Sequence, residues 1–377
     1  MSEAVSRWVF VSDVHLDVVD RGRHTAAAIT EFFEHVAATS ASETRLVLLG
    51  DVFELLGPRR GDESAAAQRF DAVASENAPV FAALRTCLGH GIRVDVVAGN
   101  HDLDLIRPVV ADRLRQHLGV TDDDEAVCIG SWLYTVPGVL YAEHGNQHHD
   151  LNRFPRILDP YAARDRHALH TPPLAARGRR VGEGRSRVGD AGAVLRSLVA
   201  SWWGERAATE PRYQARIEAY AASVGLSHRL VAELERLSRF RPGSTALRLA
   251  AQPIRRVSGR PGREPDCYLV AAAEAVGRTC SSHRAGFPLY VFGHSHVARD
   301  VMLGDGNTRY LNCGTWSAHL HPGDPATRDP ATFPYVEVTV ADQVRGALRW
   351  WRYRRADLER RHAPHSQAHA SAIRSCS

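Results

Sequence analysis

Five apolar runs in this chain each end in side chains that can bind metal ions. The runs close on "SDVH", "LLGD", "AGNHD", "AEHG" and "FGHSH". The first three alternate with segments of helical spacing such as "TAAAITEFFEHVAA", and this alternation predicts an α/β sheet. In an open α/β sheet, ligand sites collect beyond the carboxyl ends of the strands. We therefore expect the polar residues of the five motifs to lie close together.

The pattern also divides the chain along its length. Strand and helix patterns alternate up to residue 150, where "VCIGSWLYTVPGVLYAEHG" predicts a hairpin that turns at Pro137-Gly138. Helical patterns then replace the apolar runs, and strands return with "LYVFGH", "TRYLNCG", "PYVEVTV" and "GALRWWRY". We expect one domain from residues 1–150 and 286–353, a basic helical insertion at 151–285 and a disordered tail at 354–377. Helices of the insertion are expected at roughly 190–208, 212–224, 226–239 and 266–279.

Charge is distributed unevenly between these parts. Residues 151–285 contain 24 arginines and 12 acidic residues, a net charge of +12, whereas the rest of the chain has a net charge of −8. A basic segment in an acidic body favours an anionic substrate or surface, although arginines on the outer faces of helices give the same pattern. The segment "AVLRSLVASWWGER" has one apolar face, which fits packing against the body or contact with a lipid tail.

Nothing in the sequence indicates membrane insertion or export. No apolar run approaches about 18 residues, and the N-terminal "MSEAVSRWVFVSD" lacks the regions of a signal peptide. The six cysteines have no close pair, a spacing that fits reduced thiols and not a disulfide framework. We expect a cytoplasmic protein, and the apolar helix leaves a peripheral membrane contact open.

The five motifs supply the mixed nitrogen and oxygen donors that Mn²⁺, Fe²⁺ and Zn²⁺ accept. The candidate metal ligands are Asp13, His15, Asp51, Asn100, His144, His294 and His296. Seven ligands are too many for one open catalytic ion and suit two ions that share a carboxylate. Each motif alone fits an ordinary turn or a buried histidine, but the five together favour a two-metal site.

All five motifs, in this order, resemble those of the calcineurin-like metallophosphoesterase superfamily. The resemblance covers residues 8–150 and 288–350. It implies an α/β (α+β) fold, a four-layer αββα sandwich whose catalytic domain carries the insertion as a candidate lid. It assigns Asp13, His15 and His296 to the first metal. It assigns Asn100, His144 and His294 to the second metal, and Asp51 to a position that bridges the two.

The resemblance also implies a dinuclear-metal-dependent phosphoesterase. Two divalent ions, with Mn²⁺ preferred over Fe²⁺ or Zn²⁺, would acidify a bridging water that attacks phosphorus. His101 would lie beside the phosphate and protonate or stabilise the leaving oxygen, and Asp102 would orient His101. Asn146, two residues after His144, is a further candidate that would contact substrate.

Within the superfamily, "GDVFELLG" is similar to the UDP-2,3-diacylglucosamine pyrophosphatase branch, which also has a helical insertion. Two features depart from that branch: His101 stands where it has arginine, and "HGN" stands for its "HGD". The expected partner is a small-molecule phosphoester or pyrophosphate. The substrates, in order of preference, are a nucleotide- or lipid-linked pyrophosphate or phosphodiester, then a simple monoester, then a phosphoprotein.

Two other functions stay open at this point. A nuclease of the same superfamily would use the basic insertion to follow a nucleic-acid backbone, but we see no interleaved aromatic and basic residues for base stacking, so nucleic acid is not the expected partner. A non-catalytic metal-stabilised binding scaffold would have no need of His101. No obligate protein partner is evident.

Overall fold

A computed structural model describes residues 6–19, 25–40, 43–56, 63–121, 124–130, 132–149, 152–154, 156–162, 165–169, 211–238, 267–317, 329 and 331–354. The strands are β1 Ser6–Val11, β2 Glu43–Leu49, β3 Arg93–Val97, β4 Val127–Gly130, β5 Leu133–Val136, β6 Leu140–Glu143, β7 Tyr161–Ala162, β8 Asp165–Leu169, β9 Leu289–Phe292, β10 Ala298–Met302, β11 Arg309–Cys313, β12 Thr332–Val340 and β13 Val344–Arg352. The α-helices are α1 Thr25–Ala38, α2 Glu63–Glu76, α3 Ala78–Gly89, α4 Pro108–Leu118, α5 Pro211–Ser223, α6 His228–Leu237 and α7 Cys267–Ser282. Short 3-10 helices span Leu103–Ile106 and Asn146–His148.

Two mixed sheets form the centre of the protein. The first has the order β13-β12-β1-β2-β3-β4, and the second has the order β10-β11-β9-β6-β5. In the first sheet β1 to β4 are parallel, β12 is antiparallel to β1, and β13 is antiparallel to β12. In the second sheet β6, β9 and β11 are parallel, with an antiparallel strand at each edge. The carboxyl ends of the parallel strands therefore define one edge of each sheet.

The inner faces of the two sheets pack against each other. Alternate residues of β1, such as Trp8 and Phe10, meet Val291 of β9 and Leu311 of β11 in one cluster of buried side chains. Apolar residues on the opposite faces of the same strands pack against helices, so both faces of each central strand are buried. This explains why β1, β2, β3 and β9 are read from the sequence as nearly continuous apolar runs.

Helices cover the outer face of each sheet. The helices α1 to α4 share a buried cluster with β1, β2 and β3, in which Phe32 and Phe33 of α1 are each 1% exposed. The helices α5, α6 and α7 share another cluster with β6, β9 and β11. The order of layers is helix, sheet, sheet, helix, which confirms the predicted α/β four-layer αββα sandwich.

Most elements expected from the sequence are confirmed, with some additions. The hairpin turning at Pro137-Gly138 joins β5 and β6, but β4, in the same predicted segment, pairs with β3 in the other sheet. Sequence patterns did not indicate α2, α4, β7, β8 or β10. The helices α2 and α4 contain about as many polar as apolar residues, and β10 is only partly buried. The strands β7 and β8 lie in the insertion, which was expected to be helical.

The insertion and the tail are only partly described. The helices α5, α6 and α7 correspond to three of the helices expected in the insertion. The expected helix at 190–208 lies outside the described residues, as does the expected tail except for Arg354. The division into catalytic domain, insertion and tail therefore stays a prediction. Within the described ranges, every helix is too short or too polar to cross a membrane.

The packing between the sheets leads to a stability prediction. Leu311 is completely buried between them, whereas Met302 in the same sheet is 54% exposed. We expect Leu311→Ala to lower the free energy of unfolding by about 2–5 kcal/mol, because a cavity replaces buried contacts. Met302→Ala should change it by less than about 0.5 kcal/mol. Urea unfolding followed by circular dichroism measures both, and equal losses would contradict this account of the core.

Candidate functional site

The five motifs lie at one edge of the sandwich, in the loops that follow β1, β2, β3, β6 and β9. Backbone hydrogen bonds connect these loops. The amide of Asp13 donates to the carbonyl of Gly50 at 3.1 Å, and the amide of His15 donates to the carbonyl of Asp51 at 3.0 Å. In the second sheet, the amide of Gly293 donates to the carbonyl of His144 at 3.1 Å. Backbone hydrogen bonds therefore join the loop after β1 to the loop after β2, and the loop after β6 to the loop after β9.

Backbone strain is concentrated at the candidate ligands. Six non-glycine residues in the described chain have positive φ angles, and five of them are candidate ligands: Asp13, His15, Asp51, His294 and His296, with φ between 52° and 66°. A left-handed conformation is costly for a residue with a Cβ atom and persists only where the surrounding structure enforces it. Residues held in this conformation cluster at functional sites.

Two glycines leave space for the candidate ligands. A Cβ atom at Gly99 would overlap Oδ1 of Asp51 and lie 2.9 Å from Cδ2 of His144. A Cβ atom at Gly293 would overlap the hydroxyl of Ser12 and lie 2.8 Å from Oδ2 of Asp13. The carboxylates therefore occupy positions that only glycine at these two turns permits.

The structure brings six of the seven predicted metal ligands together in two groups of three. The first consists of Asp13, His15 and His296, and the second of Asp51, His144 and His294. In each group one ligand atom per residue lies within 4.8 Å of the others. Asn100, the seventh, is 3% exposed and lies in the turn between Gly99 and His101, next to Asp51.

The donor atoms in these groups are available for a metal. Within the described chain, Oδ1 of Asp13, Nε2 of His15, Nε2 of His144 and Nδ1 of His294 are buried and make no hydrogen bond. Two of the four lie close to a side chain of opposite charge: Asp13 Oδ1 is 3.1 Å from Nε2 of His296, and His144 Nε2 is 3.1 Å from Oδ2 of Asp51. Buried polar atoms rarely lack partners, so this arrangement fits bound cations.

Protons occupy this site when no metal is bound. Burial alone would lower the pKa of His144, but the carboxylates of Asp51 and Asp13 raise its pKa to about 10. Burial alone would raise the pKa of Asp13, but the charges on His144 and His296 lower it to about 2. Burial and the charge on His144 lower the pKa of His294 well below its ordinary value. The two carboxylates therefore stay ionised and draw positive charge into the site.

His101 lies on the open side of the two groups, and a residue that the sequence analysis missed holds its ring. The side chain of His101 is 29% exposed, and its Nδ1 is 2.8 Å from Oε2 of Glu54. The same oxygen is 3.2 Å from Nδ1 of His15. Burial alone would lower the pKa of His101, but Asp51 and Glu54 raise it to about 9.

A signal for Glu54 was present in the sequence. It is the single acidic residue in the apolar run "VFELL" that follows Asp51, an environment in which a carboxylate needs a specific partner. Its two histidine partners come from other loops, so the pairing itself was not readable from the pattern.

Asp102 has contacts that differ from those expected. Its carboxylate accepts hydrogen bonds from the backbone amides of Val52 at 2.8 Å, Phe53 at 3.3 Å and Gly99 at 2.6 Å. It therefore joins the loop after β2 to the loop after β3, and Glu54, not Asp102, contacts the ring of His101. Asp102 is completely buried.

Two asparagines near the site support its loops. Asn146 is 3% exposed, and its Nδ2 donates to the carbonyl of Asn152 at 3.2 Å; the predicted contact with substrate stays a prediction. Nδ2 of Asn312 donates to the carbonyl of Gly293 at 2.8 Å, so that Asn312 supports the turn that carries His294.

Comparisons with known proteins give only distant likenesses. No family model matches the chain. No curated protein matches it either. Among solved structures, a predicted phosphoesterase of uncharacterised function from Streptococcus pneumoniae is 11% identical, with a TM-score of 0.29, over 92% of this chain and 90% of the other. A putative 5'-nucleotidase from Staphylococcus aureus is 10% identical, with a TM-score of 0.33, over 93% of this chain and 54% of the other.

A third structure, the phosphopantetheinyl hydrolase of Mycobacterium tuberculosis, is 15% identical with a TM-score of 0.28, over 83% of this chain and 91% of the other. Likenesses with TM-scores this low carry no argument about the activity of the present chain. The site has to be interpreted from its own residues.

The charge of the metal-free site predicts proton release on metal binding. With its pKa raised to about 10, His144 holds a proton at pH 7.5, and a nitrogen that binds a metal cannot keep that proton. We expect titration with Mn²⁺ at pH 7.5 to release at least about one proton per chain. Calorimetry in buffers of different ionisation enthalpy measures the number. A value of zero alongside measurable Mn²⁺ binding would contradict this description of the site.

Proposed function

We propose that this chain is a metal-dependent phosphoester hydrolase that uses two divalent ions. The observation that carries the proposal is the pair of adjacent three-residue groups, each with a carboxylate and two imidazoles. Their buried donor atoms include Nε2 of His15 and Nδ1 of His294, which make no hydrogen bond. The group of Asp13 would hold one ion and the group of Asp51 the other, and Asn100 would complete the second. The carboxylate of Asp51 is the proposed bridge.

The donor set fits metals that accept both nitrogen and oxygen, and Mn²⁺ is the proposed ion, with Fe²⁺ or Zn²⁺ as alternatives. When bound, such ions polarise a phosphoryl group and lower the pKa of a water molecule. Two ions and the two ionised carboxylates of Asp13 and Asp51 leave the site with about two positive charges, which suits an anionic phosphate ester.

The proposed role of His101 is to supply a proton to the leaving oxygen. Its Nδ1 faces Glu54, so its Nε2 is the atom left to face a substrate. Nε2 is 4.0 Å from Oδ2 of Asp51, which places it at the border of the proposed metal site. Glu54 holds the ring in this orientation and favours its protonated form. A non-catalytic scaffold would have no use for this arrangement.

The proposed substrate is a small nucleotide- or lipid-linked pyrophosphate or phosphodiester. The basic character of residues 151–285 supports an anionic substrate. The helices α5 to α7 lie on the outer face of the second sheet, which carries His144 and His294 at its strand ends. A phosphomonoester and a nucleic acid are the alternatives.

The free thiols of Cys87, Cys128, Cys280 and Cys313 support a reducing compartment such as the cytoplasm.

Metal content and a substrate panel test the proposal together. We expect about two Mn²⁺ per chain after reconstitution, measured by elemental analysis. With Mn²⁺, turnover of a bis-aryl phosphodiester or of UDP-sugars with and without acyl chains should exceed turnover of an aryl monoester and of single-stranded DNA. One ion or none would contradict the two-metal site, and preferential cleavage of DNA would support the nuclease alternative.

The pairing of His101 with Glu54 predicts a graded loss of activity. His101→Ala should lower kcat about 10²–10⁴-fold, because it removes the proton donor. Glu54→Gln should lower kcat less, since glutamine still accepts a hydrogen bond but lacks the charge. Both variants should retain two ions per chain. His90→Ala, at an exposed histidine that bonds only within its own helix end, is the matched control. Full activity in His101→Ala would contradict the proposed role of His101 as the proton donor.

A further inference from the structure

Asn152 lies in contact with one of the candidate ligands, His294. Its Nδ2 is 3.2 Å from Nε2 of His294. The other ring nitrogen of His294, Nδ1, is buried and makes no hydrogen bond within the described ranges. His294 shares its group with Asp51 and His144, and its ring centroid is 5.1 Å from that of His144. The two nitrogens of His294 therefore have different environments, and Asn152 contacts one of them.

A neutral imidazole carries its proton on one nitrogen and offers a lone pair on the other. A histidine that binds a metal ion does so as the neutral imidazole, so the ring of His294 would carry one proton. If the Asn152 amino group faces Nε2, the proton of the ring belongs on Nδ1, which then cannot bind a metal. If the carboxamide of Asn152 is rotated by a half-turn, its Oδ1 faces Nε2 of His294 instead. The ring then carries its proton on Nε2, which donates to Oδ1, and the lone pair is on Nδ1.

We propose that Asn152 is a positioning residue that fixes the tautomer of His294 in which Nδ1 binds the second metal ion. Imidazole ligands generally donate their second N–H to an oxygen, which sets the tautomer and the ring orientation. Asn152 is the residue placed to supply that oxygen. The inference rests on the proposed function, since it takes the second group to be a metal site.

The surrounding loop holds Asn152 in place. The carbonyl of Asn152 accepts from Nδ2 of Asn146 at 3.2 Å. The side chain of Gln147 makes two hydrogen bonds to the backbone of Phe154. Its Nε2 donates to the carbonyl at 3.0 Å, and its Oε1 accepts from the amide at 2.7 Å. Asn146 and Gln147 are 3% and 1% exposed, so these bonds are shielded from water. The buried side-chain carboxamides of Asn146 and Gln147 thus fix the backbone on both sides of residue 153.

The same loop connects the site to the helical insertion. The guanidinium of Arg153, the next residue, donates to the carbonyl of Ser238 at the end of α6 at 3.2 Å. Displacement of α6 would therefore act on the loop that contacts the second metal group.

Metal stoichiometry in two variants tests the inference. Asn152→Ala removes the oxygen, and the Kd of the second ion should rise about 10–100-fold. Asn152→Asp offers only oxygen to Nε2–H, so it should bind the second ion as tightly as the wild type or more tightly. Asn307→Ala, at an exposed asparagine in the turn between β10 and β11, is the control. Elemental analysis after dialysis against graded Mn²⁺, and calorimetric titration, provide the readouts.

The outcomes separate this inference from the proposed function. One ion in Asn152→Ala at a Mn²⁺ concentration that gives two in the wild type and in Asn152→Asp supports the role of Asn152. Two equally tight ions in Asn152→Ala, or loss of the second ion in Asn152→Asp, overturns it while leaving the two-metal site intact. A wild type that binds no Mn²⁺ overturns the proposed function itself. If Asn152→Ala does not fold, Asn152→Asp alone decides.

Discussion

The arrangement of the site depends on two carboxylates buried side by side. Asp13 and Asp51 are 0% and 1% exposed, and both stay ionised. Buried charge of one sign is costly unless hydrogen bonds and opposite charge compensate it. The backbone amide of His294 donates to Asp13 at 2.9 Å and that of His101 donates to Asp51 at 2.7 Å, and imidazoles surround both. A pair of divalent cations would complete this compensation.

The surrounding fold makes such a site possible by enforcing an unfavourable backbone. Positive φ angles at five candidate ligands and the close approach of side chains to Gly99 and Gly293 would not persist in an isolated loop. They persist because each loop follows a strand whose two faces are buried, one against the other sheet and one against helices. The interior of the sandwich thus stabilises the strain at its edge.

The two halves of the site differ in what supports them. The first group receives a hydrogen bond at the carbonyl of Asp13 from the hydroxyl of Thr315, at 2.8 Å, and Glu54 contacts its His15. The second group is supported by residues 146–149 and 152–154, and Arg153 connects this segment to the carbonyl of Ser238 at the end of α6. A displacement of α6 should therefore reach the second group.

The sequence by itself indicated most of the central strands, the edge at which they end and a set of candidate ligands. Apolar runs, glycines and terminal Asp, Asn and His residues are local features, and six of the seven candidates lie in two groups of three, with Asp51 in the second group where Asn100 was expected. Only the tertiary structure decided which side chains support them. Glu54 contacts the ring of His101, Asp102 accepts hydrogen bonds from three backbone amides, and Asn152 contacts the ring of His294. Each of these contacts joins loops that are separate in sequence. Such pairings depend on the directions that side chains take after left-handed turns, which hydrophobic periodicity does not encode.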